Sequence, residues 1–275
     1  RLHPLLAATM LISVVTGHIL EMITLFGIVL IHELGHAAAA RSFGWRLREV
    51  RLTPFGGVAV TDEDGSVPAR EEAVVAAAGP AMNGFMIGFA YILWAAGIWS
   101  TVWTEFFVRS NLILLGFNML PLLPLDGGKL VRVAVGYGIP FFRTLKLTTY
   151  WSLTASAAVV GVASTGMTDS GVMLNLFLIG SFLVYANWMD WRALPYRFFR
   201  FLLGREERVR RWRTAGIRGR PMVADRRTNV GWIVKRLLRE RMHCIVVTAP
   251  DGGVLAVVPE ERCVSAYLRK GQNCT

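Results

Sequence analysis

The residues with the clearest chemical potential form the run HELGH, in which His32 and His36 stand four positions apart with Glu33 between them. Four residues make just over one helical turn, so both imidazoles project from one face and can bind the same metal ion. Glu33 is then placed to accept a proton from a water molecule at that metal. The alternative is a pair of buried histidines bonded to neighbouring helices. Three ionisable groups within one turn of an apolar helix are costly, however, unless they serve a function.

Two histidines leave a catalytic zinc ion one protein ligand short, since such sites usually combine three protein ligands with an open position. Asp126 is the leading candidate for the third ligand, because its apolar segment NMLPLLPLDGG ends at the same predicted membrane depth as the histidines. Taken alone, this residue would be read as an Asp-Gly turn. His18 and Glu21 are predicted at the opposite membrane face, and Asp190 is predicted to snorkel or to lie at the surface.

The chain that positions these residues is too apolar for an ordinary soluble domain, with 53% hydrophobic and 18% charged residues among 275. This composition excludes disordered, collagen-like and disulfide-scaffold proteins. Stretches of about 18 or more mainly apolar residues predict membrane spans. Six such spans are predicted, at residues 4–20, 22–42, 72–98, 105–135, 146–166 and 171–190.

An even number of spans puts both termini on one side, and the basic residues predict which side, because Lys and Arg concentrate in cytoplasmic loops. The loops after the second and fourth spans contain Arg41, Arg46, Arg48, Arg51, Arg70, Arg143 and Lys146. The other loops between spans carry little basic charge beyond Arg109. Both termini and the HELGH motif are therefore predicted to face the cytoplasm.

Two segments depart from simple membrane helices. Residues 46–62 alternate polar and apolar side chains before the turn sequence DEDGS, which predicts short strands at the cytoplasmic surface or, equally, a plain connecting hairpin. In the fourth span, two prolines three residues apart and a pair of glycines cannot fit a regular helix. Broken backbone at membrane depth is tolerated only where protein or a cavity surrounds it.

The charge balance changes at Trp191. Up to Asp190 the chain has 11 Lys and Arg against 12 Asp and Glu, whereas from Trp191 onward it has 19 against 7, so the net charges are −1 and +12. Beside long apolar runs, this surplus predicts an anionic lipid surface as a partner, and no direct binding of nucleic acid. The three cysteines of the tail lack CxxC spacing, so they indicate neither a disulfide framework nor a cysteine zinc site.

The predicted organisation is a six-helix membrane domain at 1–191, a basic interfacial segment and linker at 192–220, and a small domain at 221–275. This last part reads as strand, helix, strand, turn, strand, helix, near the lower size limit for an independent core. The predicted fold class is a polytopic α-helical membrane protein with six transmembrane helices, a short membrane-surface β element and a small C-terminal α/β domain.

Three motifs carry a resemblance: HELGH in the second span, AAGPAMN in the third and NMLPLLPLDGG in the fourth. In this order they resemble the site-2 protease family of intramembrane zinc metalloproteases. Six spans followed by one small domain are similar to the sporulation branch of that family. Its members cut the membrane-tethered precursor of a late sporulation sigma factor, in the mother-cell membrane around the forespore. The tail is similar to one CBS repeat.

The resemblance implies that His32, His36 and Asp126 bind one Zn²⁺ per chain and that Glu33 activates water. It also implies that Asn118, eight residues before Asp126 as in the family motif, lies at the catalytic centre. An Asn amide near zinc can donate to the oxyanion that forms when a peptide carbonyl is attacked.

Further residues are implied to bind substrate. They are Asn83 of AAGPAMN and the run Phe55, Gly56 and Gly57, which matches the family's strand beside the site. An extended substrate could add to the free edge of that strand. For Asn83 and Asn118 the alternative is a hydrogen bond between helices.

The resemblance further implies inhibitory sporulation membrane proteins as partners, and a homo-oligomer through the CBS-like domain, since one repeat usually needs a second to form a ligand cleft. Nucleotide-binding CBS repeats commonly have Thr or Ser, two residues, and then Asp after the last strand. Here the corresponding run is Pro259, Glu260, Glu261 and Arg262. Binding of ATP would therefore have to use other groups.

The sequence thus favours an intramembrane zinc endopeptidase. One alternative is a membrane metal transporter, in which His and Asp would form a transit site. Another is an inactive membrane scaffold with a nucleotide-sensing tail. Transport does not require Glu33, and an inactive relative is expected to have lost Glu33 or a ligand, whereas all four groups remain.

Overall fold

The computed structural model describes residues 17–45, 47–53, 56–61, 67–165, 171–250 and 252–270. Its contacts divide the chain into two compact units, residues 1–63 with 70–130 and residues 64–69 with 131–275. The first unit contains helix α1 (Ile19–Ser42), strands β1 (Leu47–Thr53) and β2 (Gly56–Thr61), helices α2 (Ala69–Ala95) and α3 (Thr101–Asn118), and the start of α4 (Asp126–Gly136). The second contains the rest of α4, helices α5 (Phe141–Thr165), α6 (Gly171–Leu203) and α7 (Arg205–Thr214), strand β3 (Arg220–Asp225), helix α8 (Val230–Val234), strands β4 (His243–Thr248) and β5 (Val254–Pro259), and helix α9 (Glu260–Lys270).

Helices α1 and α2 are long and apolar enough to cross a membrane, and they correspond to the second and third predicted spans. The first predicted span lies almost entirely outside the described residues. The fifth and sixth correspond to α5 and α6, of 25 and 33 residues, which are less apolar. The count of six spans stays a prediction.

The predicted fourth span is two helices, because the proline-rich segment ends α3 and a new helix, α4, begins at Asp126. Between them the chain turns tightly: the Leu122 amide donates to the Leu120 carbonyl at 2.8 Å, and the Leu125 amide donates to the Leu122 carbonyl at 2.9 Å. A Cβ atom at Gly127 would lie 2.5 Å from the Leu120 carbonyl oxygen, so only glycine fits there. The turn thereby places Asp126 at the first position of a helix.

Strands β1 and β2 confirm the predicted strand pair. They are antiparallel, with Val50 opposite Ala59 and Leu52 opposite Gly57. Since this sheet has two strands in the described part of the chain, each strand has one edge with unpaired backbone groups. The DEDGS turn and Phe55 lie outside the described residues.

Asp190 joins α4, α5 and α6 through a buried network. Arg132 and Thr149 each donate to its Oδ2 atom at 2.9 Å, and Arg197 contacts its Oδ1 atom at 2.6 Å. The Asp190 side chain is only 11% exposed, so the predicted snorkelling or surface position is wrong. Three donors offset the cost of removing this carboxylate from water, which a sequence pattern does not reveal.

The tail forms a three-stranded sheet in the order β3-β4-β5, with β3 parallel and β5 antiparallel to β4. The predicted order of strands and helices is confirmed, but helix α8 ends at Val234 instead of Glu240. Beyond Val234 the backbone tightens, because the amides of Arg236 and Leu237 donate to the carbonyls three residues back, at Ile233 and Val234, at 3.0 and 3.3 Å. The carbonyls that follow bond outside this segment: Leu237 accepts from the Phe141 amide at 3.0 Å, and Leu238 and Arg239 accept from Arg205.

The apolar core of this unit is shared between the tail and helices α5 and α6. It includes Phe141, Leu145, Phe198, Phe201, Leu202, Ile233, Leu237, Ile245 and Val264. Helix α6 continues without interruption to Leu203, so the first part of the predicted interfacial helix and linker at 192–220 is the end of the sixth helix and packs in this core. The tail is therefore fixed to the helices that precede it.

An ion pair between Arg205 and Glu260 is completely buried where α7 meets the sheet, with each side chain 1% exposed. The Arg205 Nε atom donates to Glu260 Oε1 at 2.8 Å, and the same guanidinium donates to the carbonyls of Leu238, Arg239 and Arg241. The other oxygen of Glu260 accepts from the His243 amide at 2.8 Å. Every atom of the pair thus has a partner.

The surroundings of this pair determine how Glu260 titrates. Burial alone would raise the pKa of its carboxyl, but the hydrogen bond from His243 and the charge of Arg205 outweigh burial and hold the pKa below 4.5. Because the folded-state pKa is lower than the unfolded one, the stabilisation is complete above about pH 4.5 and is lost as pH falls through the lowered pKa.

We expect Glu260→Gln to destabilise the tail by about 3–5 kcal/mol at pH 7, because it leaves the buried Arg205 charge uncompensated. Glu261→Gln is the matched control: it removes a carboxylate that pairs with the exposed Arg213 at 2.7 Å, and it should cost at most about 1 kcal/mol. Thermal unfolding monitored by proteolysis of the tail measures both. The difference in unfolding temperature between the wild type and Glu260→Gln should narrow below pH 4.5. Equal losses of stability in Glu260→Gln and Glu261→Gln would contradict this role of Glu260.

Candidate metal centre

Three predicted ligands, His32, His36 and Asp126, lie together in the first unit. The Nε2 atoms of His32 and His36 are 3.2 Å apart, and they lie 3.2 and 3.0 Å from Asp126 Oδ2. All three residues are buried. In a tetrahedral zinc site with bonds near 2.0–2.1 Å, neighbouring ligand atoms are about 3.3 Å apart. The donor set and its spacing therefore fit one zinc ion.

The remaining polar atoms of the ligands are held by other groups, which fixes the direction of each ligand atom. His32 Nδ1 donates to Asn83 Oδ1 at 2.5 Å, and His36 Nδ1 donates to the Val75 carbonyl at 2.7 Å. With hydrogens on both Nδ1 atoms, each neutral imidazole presents the Nε2 lone pair to the metal position. Lys129 donates to Asp126 Oδ1 at 3.0 Å, which leaves Oδ2 directed at the histidines.

Asn83 belongs to a buried relay that the sequence reasoning did not include in full. Its Nδ2 donates to Asn111 Oδ1 at 3.0 Å, and Asn111 Nδ2 donates to the Phe107 carbonyl at 2.9 Å. Both Asn side chains are 0% exposed. Since Asn83 contacts a ligand directly, we infer that it positions His32, and its contact with substrate stays a prediction. The signal that could have identified Asn111 is an amide side chain at the start of the apolar run LILLGF in the second half of α3.

Gly79 of the AAGPAMN motif brings helix α2 against the metal ligands. A Cβ atom at this position would lie 2.6 Å from His36 Cε1 and 2.7 Å from His32 Nε2. Any larger residue would therefore push into the space of the imidazoles. The role of Gly79 was not predicted from the sequence, although a run of small residues such as AAGPA is typical of close helix packing.

Other predicted site residues are placed as follows. Glu33 is buried on α1 beside the ligands, 8% exposed. Asn118 is half-buried at the end of α3, where its Nδ2 donates to the Leu114 carbonyl at 3.1 Å. Gly56 and Gly57 begin strand β2. The roles predicted for Glu33, Asn118, Gly56 and Gly57 stay predictions.

Comparisons with known proteins agree with this geometry. Residues 20–99 match the model of the family described as Peptidase family M50. The chain is 34% identical over 205 residues to stage IV sporulation protein FB of Bacillus subtilis. This match covers 74% of this chain and 70% of that protein. It is 31% identical over 129 residues to the zinc metalloprotease MJ0392 of Methanocaldococcus jannaschii, covering 46% of this chain and 37% of that one.

A solved structure has a similar fold. The site-2 protease from Methanocaldococcus jannaschii superposes with a TM-score of 0.54 and 22% identity, over 69% of this chain and 88% of that chain. At this identity the match concerns the fold alone.

We expect Asn111→Leu to lower zinc affinity by about 10-fold, the lower end of the loss that follows removal of a direct partner of a metal-bound histidine, because Asn111 acts on His32 through Asn83. The substitution keeps the side-chain volume similar but leaves Asn83 without its acceptor. Zinc affinity is measured by competition with a chromogenic chelator. Asn187→Leu, which replaces another fully buried Asn on α6, is the control for general damage. Equal zinc affinities in Asn111→Leu and Asn187→Leu would contradict a role of the relay in zinc binding.

Proposed function

The chain belongs to the site-2 protease family of zinc metalloproteases, peptidase family M50, and we propose that it hydrolyses a peptide bond in or near the membrane segment of a tethered protein. The observation that carries this proposal is the convergence of His32, His36 and Asp126 with the buried Glu33 on the same helix turn as the histidines. A site that only bound or transported a metal would have no use for a carboxylate between the two histidines.

The residues divide into ligands and a proton carrier. His32, His36 and Asp126 would hold a zinc ion, which would supply a Lewis acid for the peptide carbonyl and for the attacking water. Glu33 accepts the proton of the attacking water and later delivers it to the amine that leaves. Asn118, at the end of α3, donates to the oxyanion that develops on the carbonyl.

The hydrogen-bond partners of the two Nδ1 atoms hold the histidines in the orientation that zinc binding needs. Because Asn83 and the Val75 carbonyl hold the two imidazoles, the rings need no reorientation when substrate arrives. Lys129 holds the second oxygen of Asp126 in the same way. The chain therefore supplies the orientation of the ligands before the reaction begins.

The substrate in this proposal is a membrane-tethered sigma-factor precursor, and the support is the similarity to stage IV sporulation protein FB over 70% of that protein's length. The site then faces the cytoplasm, with both termini on the same side, in the mother-cell membrane. The +12 tail attracts anionic lipid and acidic regions of the substrate. Inhibitory membrane proteins, and a second copy bound through the CBS-like tail, belong to the same proposal.

We expect Glu33→Gln to abolish cleavage and to keep zinc, because the amide has the same size but cannot accept a proton. Asp126→Ala should instead lose most of the zinc as well as activity. The measurements are elemental analysis of the purified proteins and cleavage of a co-expressed tethered precursor. Undiminished cleavage by Glu33→Gln would end the proposed mechanism, and one full zinc per chain in Asp126→Ala would remove Asp126 from the ligands.

The second expectation concerns substrate docking at the free edge of β2. Backbone amides of successive residues in a strand point to opposite edges, so proline at only one of Val58 and Ala59 removes a donor from the free edge. One of the two variants should thus lose turnover with full zinc content, while the other weakens pairing with β1. Disulfide crosslinking of cysteines placed in β2 and in the substrate is the direct measurement. Docking by strand addition is contradicted if no pair crosslinks and both proline variants keep full turnover.

A further inference from the structure

An open groove lies between α2 and α3 in the first unit. Its volume is about 510 Å³, and it is lined by Tyr91, Thr104, Glu105, Val108, Arg109, Leu112 and Ile113. Most of the lining surface is apolar, but two charged residues stand within it. None of these residues belongs to the metal centre.

The two charged residues, Glu105 and Arg109, share one face of α3, because they are four positions apart. Both are exposed. Within the described part of the chain neither forms an ion pair, either with the other or with a third residue. Charged side chains on a helix among membrane spans normally face protein or pair with an opposite charge. A carboxylate and a guanidinium that open onto this groove, without a partner among the described residues, are therefore available to a bound molecule of complementary charge.

Tryptophan residues mark the level of the membrane surface at this end of α3. Trp94, Trp99 and Trp103 surround the start of the helix, and Trp94 Nε1 donates to Thr101 Oγ1 at 3.2 Å. Such residues gather at the headgroup level. With a rise of about 1.5 Å per residue, Glu105 lies about 6 Å and Arg109 about 12 Å along the helix from Thr101. A long Arg side chain reaches back toward the headgroups from that depth.

We propose that this groove binds one phospholipid with a zwitterionic ethanolamine headgroup, at the end of α3 away from the metal centre. Its phosphate pairs with Arg109 and its ammonium pairs with Glu105. The upper part of an acyl chain lies along Val108, Leu112 and Ile113, deeper in the membrane. This site is separate from the proposed peptidase function, and either can fail without the other.

The order and sign of the charges select this class of lipid. A headgroup with phosphate alone would satisfy Arg109 but would place its negative charge beside the Glu105 carboxylate. A choline headgroup carries a positive charge but no N–H donor, so it cannot donate a hydrogen bond to Glu105. An ethanolamine headgroup offers both an oxyanion and three N–H donors. The ethanolamine headgroup can therefore pair with both Glu105 and Arg109.

The experiment is native mass spectrometry of the full chain after incubation with equimolar phosphatidylethanolamine, phosphatidylcholine and phosphatidylglycerol. We expect the wild type to retain phosphatidylethanolamine about fivefold more than phosphatidylglycerol, the ratio that corresponds to one charge pair of about 1 kcal/mol. Glu105→Gln should remove this preference, because phosphatidylglycerol no longer meets a repelling carboxylate. Arg109→Gln should lower retention of all three lipids.

Two further variants keep the test decisive if a charge change impairs folding. Ile113→Trp fills the apolar end of the groove without altering charge and should lower retention of every lipid alike. Arg143→Gln removes an exposed guanidinium from helix α5, outside the groove, and should retain the wild-type pattern. Unchanged lipid selectivity in Glu105→Gln, together with unchanged lipid retention in Arg109→Gln, would overturn the proposal. It would also be overturned if Arg109→Gln dissociated a dimer, since the groove would then hold a second copy of the chain.

Discussion

The metal centre depends on one constraint: charged and polar ligand atoms must be kept out of water among apolar helices. An unpaired polar group at such a position is costly, so each ligand atom that does not face the metal needs its own partner. The structure provides these partners one by one, through Asn83 for His32, the Val75 carbonyl for His36 and Lys129 for Asp126. The close approach of α2 at Gly79 and the interruption of the helix before Asp126 are consequences of the same requirement. They bring the partners and the third ligand to the histidines.

The sequence alone predicted the ligand set from local signals and from the predicted membrane depth that Asp126 shares with the histidines. HELGH fixes two ligands on one helix face, and the prolines of the fourth span force a helix start at Asp126. The strand pair and the order of elements in the tail were predictable for the same reason. Contacts between distant parts of the chain were not. The Asn111 relay, the network around Asp190 and the contacts of the carbonyls that follow α8 are tertiary hydrogen bonds, and no spacing within one segment encodes them.

Ion pairs in this protein fall into two groups with different consequences. The Arg205 and Glu260 pair and the Asp190 network are buried, with several donors for each carboxylate, and they join elements that are distant in sequence. Arg208 lies beside Arg205, its guanidinium 5.4 Å from the Phe201 ring, and burial together with the charges of Arg205 and Arg239 lowers its pKa to about 10. The exposed pairs along α7, such as Glu207 with Arg211, are of the kind that contributes little. Buried pairs therefore join α4, α5 and α6 at Asp190 and hold α7 against the sheet of the tail at Glu260.

The chain order of the ligands has a consequence for biosynthesis. Asp126 follows His32 by 94 residues, and both strands and two helices lie between them. At typical bacterial translation rates this interval lasts about 5 to 20 s. A nascent chain thus carries two imidazoles in the membrane well before the carboxylate emerges from the ribosome. Until then the coordination set is incomplete, so metal cannot guide the insertion of the early helices. Acquisition of the ion instead marks the moment when the proline turn has been made and the helices around it have assembled.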